Sequence, residues 1–155
     1  MSLNKVSRRV EDYLKAIYDI MEERGYVKIK DLSNRLNVKP PSVTEMVNRL
    51  SKMGFVNYEK YGAITLTEDG KRIAKSVKTR HDTFVKLLEM LSIPKEIAER
   101  DAHELEHRLH PKTIEQFTKF VDFLSELSSN LKIMKKWNDL LKKYNDKFSE
   151  DFHKC

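Results

Sequence analysis

Imidazole and carboxylate groups are concentrated in one short stretch of the chain. Residues 99–107 read Glu-Arg-Asp-Ala-His-Glu-Leu-Glu-His, with Glu99, His103, Glu106 and His107 at spacings of i, i+4, i+7 and i+8. On an α-helix these spacings place all four side chains on one face. A mixed set of imidazoles and carboxylates suits divalent Mn, Fe, Co and Zn. The stretch therefore predicts a metal-binding helix, in either a metalloenzyme or a metal sensor.

The enzyme hypothesis rests on residues 103–107, which match H-x-x-E-H, the inverted form of a zinc-protease signature. In such proteases the two His hold Zn and the Glu activates a water molecule. That function also needs a further ligand downstream and a substrate cleft. The 48 residues after His107 instead show the pattern of two amphipathic helices. A zinc hydrolase is therefore the weaker alternative, and a solvated helix face is the plainest structural interpretation.

The elements upstream of this stretch follow the order helix, helix, turn, helix, hairpin. Apolar spacing predicts a first helix over about 7–25 and a short helix over 29–36. Pro40-Pro41 opens a third helix that ends near residue 53. Residues 55–58 and 63–66 have the pattern of two strands of a β-hairpin. This order is that of a winged helix-turn-helix, a DNA-reading unit.

The rest of the chain shows only helical patterns. Thr67 is the expected N-cap of a long helix that ends before residues 92–94, and the metal-binding helix follows. Two further amphipathic helices are predicted over 114–127 and 131–148. The expected fold is mostly α, a winged helix-turn-helix followed by an all-helical dimerisation and metal-binding domain. The domains are predicted at residues 1–75, 76–127 and 128–155, the last being a helical extension.

The charge of the chain is unevenly distributed. Residues 1–80 contain 17 Lys and Arg against 10 Asp and Glu, a net of +7. Residues 81–127 contain 6 against 10, a net of −4. A basic first half is typical of a protein that binds a polyanion, because neutralised phosphates release their counterions. The acidic middle is compatible with a cation site or a subunit contact.

Composition also bears on the location of the protein. No apolar run approaches the roughly 20 residues that cross a bilayer, and the N-terminus lacks the apolar core of a signal peptide. The single Cys excludes an intramolecular disulfide and a thiolate metal cage, which fits a reducing compartment. We therefore expect a cytoplasmic protein without a membrane partner.

The third helix has a polar face opposite its apolar stripe. Hydroxyl, amide and guanidinium groups on such a face can meet base edges or phosphates. A lysine at the hairpin tip can reach the neighbouring phosphate backbone. The residues expected to contact double-stranded DNA are Lys39, Pro41, Ser42, Thr44, Glu45, Asn48, Arg49, Lys52 and Lys60.

Several short segments, in order along residues 7–127, resemble one known family. They are Val10-Glu11-Asp12-Tyr13-Leu14-Lys15-Ala16-Ile17-Tyr18, Ser42-Val43-Thr44, Leu66-Thr67-x-x-Gly70, Arg80-His81 and Glu106-His107. This series resembles the diphtheria toxin repressor family of metal-dependent transcriptional repressors, and most closely its manganese transport regulator branch. The resemblance implies a homodimeric metal sensor in which the metal links the first helix to the dimerisation domain.

The resemblance also implies which residues hold the metal. The family's first-helix ligand matches Asp12, and a second ligand matches His81 in the long connecting helix. The remaining ligands match His103, Glu106 and His107. Donors without Cys or Met favour Mn(II) or Fe(II), although added imidazole also suits Co, Ni and Zn.

Three positions depart from the family's pattern. Lys15 stands where manganese regulators typically have Glu, and an ammonium group cannot bind a metal and repels a nearby cation. Val85 stands where iron-responsive members have a carboxylate, and His103 replaces the usual Cys or Glu. The two-metal arrangement of the manganese regulators would therefore have to recruit Glu99 as a ligand.

The function predicted from the sequence is that of a homodimeric transcriptional regulator activated by Mn(II) or Fe(II), a repressor of metal-uptake genes. Two-fold symmetry predicts a palindromic operator whose half-sites match the spacing of the recognition helices. The stripe of Phe117, Phe120 and Leu124 is either the dimer seam or part of an intramolecular core. A metal-independent winged-helix regulator is the main alternative to a metal sensor.

Overall fold

The structure, a computed structural model, describes residues 6–60, 62–128 and 131–148. The chain divides into two compact units, Met1–Thr79 and Arg80–Cys155. The described elements are α1 (Arg8–Arg24), α2 (Ile29–Leu36), α3 (Pro40–Lys52), β1 (Val56–Tyr58), β2 (Ile64–Leu66), α4 (Glu68–Met90), α5 (Lys95–Arg108), α6 (Pro111–Ser128) and α7 (Leu131–Phe148). The predicted fold class is confirmed, with a winged helix-turn-helix first and helices thereafter. The domain limits expected at residues 75 and 127 stay predictions.

Local capping chemistry sets the ends of the first helices. The Ser7 hydroxyl accepts a hydrogen bond from the Val10 amide, which satisfies one free donor at the start of α1. Gly25 ends α1 in the left-handed conformation at φ 78°, which glycine adopts without steric cost. Asn37 does the same after α2 at φ 52°. The cap at Asn37 leaves a connection of three residues, 37–39, before the two prolines that open α3.

The wing is a two-stranded antiparallel hairpin that pairs Val56 with Leu66. The predicted cap at Thr67 is confirmed, since its hydroxyl accepts from the Gly70 amide and donates to the Gly54 carbonyl. At Gly70 a Cβ atom would lie only 2.0 Å from the Phe55 carbonyl oxygen. Only glycine therefore fits where α4 starts against the residue that precedes β1.

A buried apolar core holds the first unit together. It takes residues from α1, α2, α3, both strands and the first half of α4, so the recognition helix is fixed by its apolar side. The largest fully buried of these side chains are Leu14, Ile17, Leu32, Leu50, Ile64, Val10, Val27, Val43, Val47 and Val77. Burial of such side chains stabilises the fold by about 1.5–3 kcal/mol each.

The second unit has its own, smaller core of Phe84, Ala102 and Ile114. Phe117 packs edge-on against Phe84 with ring centroids 5.8 Å apart, so this member of the predicted seam belongs to the intramolecular core. Phe120 is exposed instead. None of the described helices is long and apolar enough to cross a membrane.

Candidate metal centre and nucleic-acid interface

The inward stripe of α5 ends in a carboxylate. Ala98, Ala102 and Glu106 follow one another at i, i+4 and i+8, and all three are buried. The two alanines add little bulk, and Ala102 packs in the core with Phe84 of α4. Glu106 is only 1% exposed. A charge so deeply buried requires partners, because desolvation of an unpaired carboxylate is costly.

Three imidazoles supply those partners. His81 Nδ1 lies 2.9 Å from Glu106 Oε2. His103 Nδ1 and His107 Nε2 lie 3.0 Å and 3.1 Å from the other oxygen, Oε1. The rings of His103 and His107 pack edge-on, with centroids 5.2 Å apart. The predicted cluster on α5 is thus brought together with a histidine of α4 around one carboxylate.

These contacts keep Glu106 ionised. Burial raises the pKa of its carboxyl group, but hydrogen bonds from His107 and His81, together with the charge interactions with the same two imidazoles, lower that pKa to about 2. An ionised carboxylate can only accept hydrogen bonds. Each imidazole nitrogen that faces Glu106 therefore carries a hydrogen, which a bound cation would have to displace.

His81 uses both of its ring nitrogens. While Nδ1 faces Glu106, Nε2 lies 2.8 Å from Glu99 Oε2. The Glu99 side chain is half exposed, whereas His81 is buried. Glu99 is therefore separated from Glu106 by an imidazole, a relation that the shared helix face alone did not reveal.

The donor set fits a divalent transition metal. His103, Glu106 and His107 each offer one ligand atom, and these atoms lie within 4.8 Å of one another. Two imidazoles and a carboxylate, with His81 beside them, match the borderline donors that such metals prefer. Glu106 is also held in the deprotonated state that ligation requires.

The polar face of α3 lies opposite its buried stripe of Val43, Val47 and Leu50. Ser42 and Thr44 are half-buried, and the Thr44 hydroxyl donates to the Pro40 carbonyl at 3.0 Å, so its oxygen remains available as an acceptor. The other predicted DNA contacts are exposed, namely Lys39, Pro41, Glu45, Asn48, Arg49, Lys52 and Lys60.

Two family models match consecutive parts of this chain. The model described as "Iron dependent repressor, N-terminal DNA binding domain" matches residues 5–64. The model described as "Iron dependent repressor, metal binding and dimerisation domain" matches residues 67–135. The chain belongs to the iron-dependent repressor family. This is the diphtheria toxin repressor family, so the resemblance drawn from short segments is confirmed.

Proteins similar to this chain include two transcriptional regulators of the helix-turn-helix type. The transcriptional regulator MntR of Bacillus pumilus is 35% identical over 133 residues, which cover 84% of this chain and 92% of the relative. An uncharacterized regulator of Methanocaldococcus jannaschii is 38% identical over 119 residues, which cover 76% of this chain and 95% of the relative.

A solved structure described as a manganese-dependent transcriptional repressor in complex with manganese is similar in fold. Its TM-score is 0.67 at 28% identity, and the match covers 74% of this chain. The match covers 53% of that chain, so this protein spans about half the length of the solved repressor.

Two of the three positions that depart from the family's pattern, Lys15 and Val85, have ordinary structural surroundings. Lys15 pairs with Asp19 one turn later on α1, at 3.8 Å, and Lys78 contacts the same carboxylate. Val85 packs against the core of the second unit. Asp12, the first-helix ligand implied by the family resemblance, is half-buried on α1 in the first unit.

Proposed function

We propose that this protein is a metal-activated transcriptional repressor that binds DNA as a homodimer. The observation that carries the proposal is the buried Glu106 carboxylate, with three imidazoles around it, in a chain that also has a winged helix-turn-helix. Its membership of the iron-dependent repressor family supports both halves of the proposal.

The ligands that we propose for the metal are His103, Glu106, His107 and Nδ1 of His81. The family resemblance adds Asp12 as a ligand from the first helix. The contact of Glu99 with His81 favours a positioning role over direct ligation, because metal-binding histidines usually donate their second N–H to a carboxylate.

The bound ion that we propose is Mn(II) or Fe(II). The donors are nitrogen and oxygen, without Cys or Met among them, and this set suits both ions. The solved repressor described above is manganese-dependent by its own description. A bound divalent cation supplies positive charge that draws the buried carboxylate and the imidazole lone pairs to one centre.

Ligands on both the first helix and α5, as the family resemblance implies, would explain how metal binding favours DNA binding. A shared metal that joins Asp12 to α5 would reduce the relative freedom of the two units and hold the two α3 helices of the dimer at operator spacing. The operator is then a palindrome of double-stranded DNA, read by α3 and contacted through its backbone by Lys60. Such a role places the protein in the cytoplasm and requires no enzymatic activity.

The test is a metal-dependent selection of DNA. Duplexes selected from a random pool in Mn(II) should bind the full chain in gel shifts and be released by EDTA. Glu106→Ala should abolish this metal-dependent binding, while Glu104→Ala, an exposed neighbour on α5, should leave it unchanged. Binding that ignores EDTA would establish the metal-independent winged-helix regulator instead. Peptide hydrolysis without DNA selection would establish the zinc hydrolase.

A further inference from the structure

The last helix repeats its own sequence. Residues 134–140 read Met-Lys-Lys-Trp-Asn-Asp-Leu, and residues 141–147 read Leu-Lys-Lys-Tyr-Asn-Asp-Lys. A seven-residue repeat keeps the same side chains on one helix face over successive turns. Such repeats are typical of helices that pack along another helix.

The apolar face of this repeat is uncovered within one copy of the chain. Ile133, Trp137, Leu140 and Tyr144, spaced by four, three and four residues, are between 39% and 57% exposed. Among the side chains of α7 that the structure describes, Leu141 alone is half-buried and the others are exposed. A continuous stripe of large apolar side chains marks an interaction surface rather than scattered exposure.

The charges beside this face indicate what covers it. Lys136 and Lys143 directly precede Trp137 and Tyr144, so each exposed ring has an ammonium group next to it in the sequence. Residues 131–148 contain six Lys against two Asp. A second α7 would bring lysines together, so the complementary surface is apolar and acidic.

Helix α6 carries such a surface. Phe120 and Phe123 are 47% and 56% exposed, and the acidic side chains of Asp122 and Glu126 are exposed beside them at i, i+4. A surface cavity of about 470 Å³ lies next to Phe120 and provides room for a large side chain. Over its whole length, α6 contains three acidic side chains against two lysines.

We propose that α7 of one copy packs along α6 of a second copy, with Trp137 in the seam. In a two-fold dimer the contact is reciprocal, so both copies cover both faces. The proposal rests on the homodimer of the proposed function and extends it. The dimerisation-domain model ends at residue 135, near the start of α7, so the seam adds most of a helix to the expected interface.

The single tryptophan of the chain allows a direct test. The full chain is measured over a series of protein concentrations without metal or DNA. As sedimentation shows dimer formation with rising concentration, the fluorescence emission of Trp137 should shift to shorter wavelength. The midpoint of the emission shift should coincide with the midpoint of dimer formation. Leu140→Asp should raise the dimer dissociation constant at least tenfold, while Asn138→Asp, an equal charge change outside the apolar stripe, should not. Emission that stays unshifted in a demonstrated dimer would overturn the proposal, whatever the result for metal-dependent DNA binding.

A charge reversal identifies the partner helix. Lys136→Glu with Lys143→Glu should weaken the dimer, and addition of Asp122→Lys with Glu126→Lys should restore at least half of the lost dimer fraction at equal protein concentration. If the Asp122→Lys and Glu126→Lys substitutions fail to restore the dimer, α6 is excluded as the surface against which α7 packs. An emission shift that occurs only on addition of duplex DNA, without a change in oligomeric state, would show that α7 contacts nucleic acid instead.

Discussion

At the scale of single residues, one carboxylate organises the metal centre. Both His103 and His107 face the same oxygen of Glu106, and His81 faces the other. In the metal-free protein each facing nitrogen needs a hydrogen, whereas a metal requires its lone pair. His81 faces carboxylates with both ring nitrogens, so the hydrogen on its Nδ1 has to leave the ring when a metal takes that lone pair. Metal binding should therefore release a proton, and the apparent metal affinity should fall as the solution becomes acidic.

Glu106 should also make the metal-free protein sensitive to acid. Its pKa is lowered from 4.5 to about 2 on folding, so its contribution to the free energy of unfolding is complete above pH 4.5. The contribution is lost progressively as the pH falls from 4.5 to about 2, and it amounts to about 3 kcal/mol. Urea unfolding of metal-free protein at several pH values in this range measures the loss.

Glu106→Gln removes the titrating group and supplies the comparison. Its free energy of unfolding should change less with pH between 4.5 and 2 than that of the unsubstituted chain. Glu104→Gln, on the exposed side of the same helix, should follow the unsubstituted chain. Parallel curves for the Glu106 variant and the unsubstituted chain would refute the lowered pKa.

Graded substitution of Glu99 distinguishes a positioning role from direct binding of the metal. As a positioning residue it holds the outer nitrogen of His81, so Glu99→Ala should weaken Mn(II) binding by about 10–100-fold. Glu99→Gln keeps an acceptor for that N–H and should recover part of the loss. Calorimetric titration with Mn(II) measures both, with Glu96→Ala as an exposed control. Loss of binding as complete as in Glu106→Ala, without rescue by Gln, would show that Glu99 is a ligand.

At the scale of elements, α3 and the wing should contribute differently to DNA binding. Arg49 is exposed on the recognition helix, and its guanidinium can meet a guanine edge, so Arg49→Ala should cost about 1–3 kcal/mol and relax the preference at one base position. Lys60, on the wing, is expected to meet phosphate and no base edge. Lys60→Ala should weaken binding equally across DNA sequences, and it should reduce the slope of log affinity against log salt concentration by about 1. Salt-dependent titrations of matched and mismatched duplexes distinguish the two effects.

The elements themselves were largely predictable from the sequence. Ser7, Gly25 and the two prolines at 40–41 punctuate the chain where the structure begins and ends its helices. The stripe of Phe117, Phe120 and Leu124 on α6 left a dimer seam and an intramolecular core as alternatives, because a helix periodicity shows that residues share a face but not what that face meets. In the structure Phe117 packs against Phe84 and Phe120 is exposed.

The metal centre was predictable only in part. His103, Glu106 and His107 lie on one helix, so spacing alone groups them. His81 is 25 residues away from Glu106 and came from the family resemblance, since its approach depends on how α4 and α5 pack. The contact between Glu99 and the outer nitrogen of His81 depends on side-chain conformations that no spacing encodes. The repeat in α7 was not among the features predicted from the sequence, and its significance needed the exposure of Trp137.

At the scale of the whole molecule, the charge distribution separates two tasks. The basic first 80 residues suit the approach to DNA, since long-range attraction raises the rate of association with a polyanion. The acidic segment 81–127 contains the carboxylates and imidazoles that attract a cation. Because none of the proposed metal ligands is among the residues expected to contact DNA, metal and DNA compete for none of the same groups, and their coupling has to act through the arrangement of the domains in the dimer.

That coupling makes a thermodynamic prediction for the complete dimer. If Mn(II) raises the affinity for operator DNA by some factor, the operator must raise the affinity for Mn(II) by the same factor, because the two routes to the ternary complex share their end states. For typical allosteric couplings the factor is about 5–150. Operator titrations with and without saturating Mn(II), and Mn(II) titrations with and without saturating operator, measure it independently. A Leu140→Asp chain that remains folded should lower both factors together, because a weakened dimer presents fewer paired recognition helices. A factor of 1 by both routes in the unsubstituted protein would show that metal binding and DNA binding are not coupled.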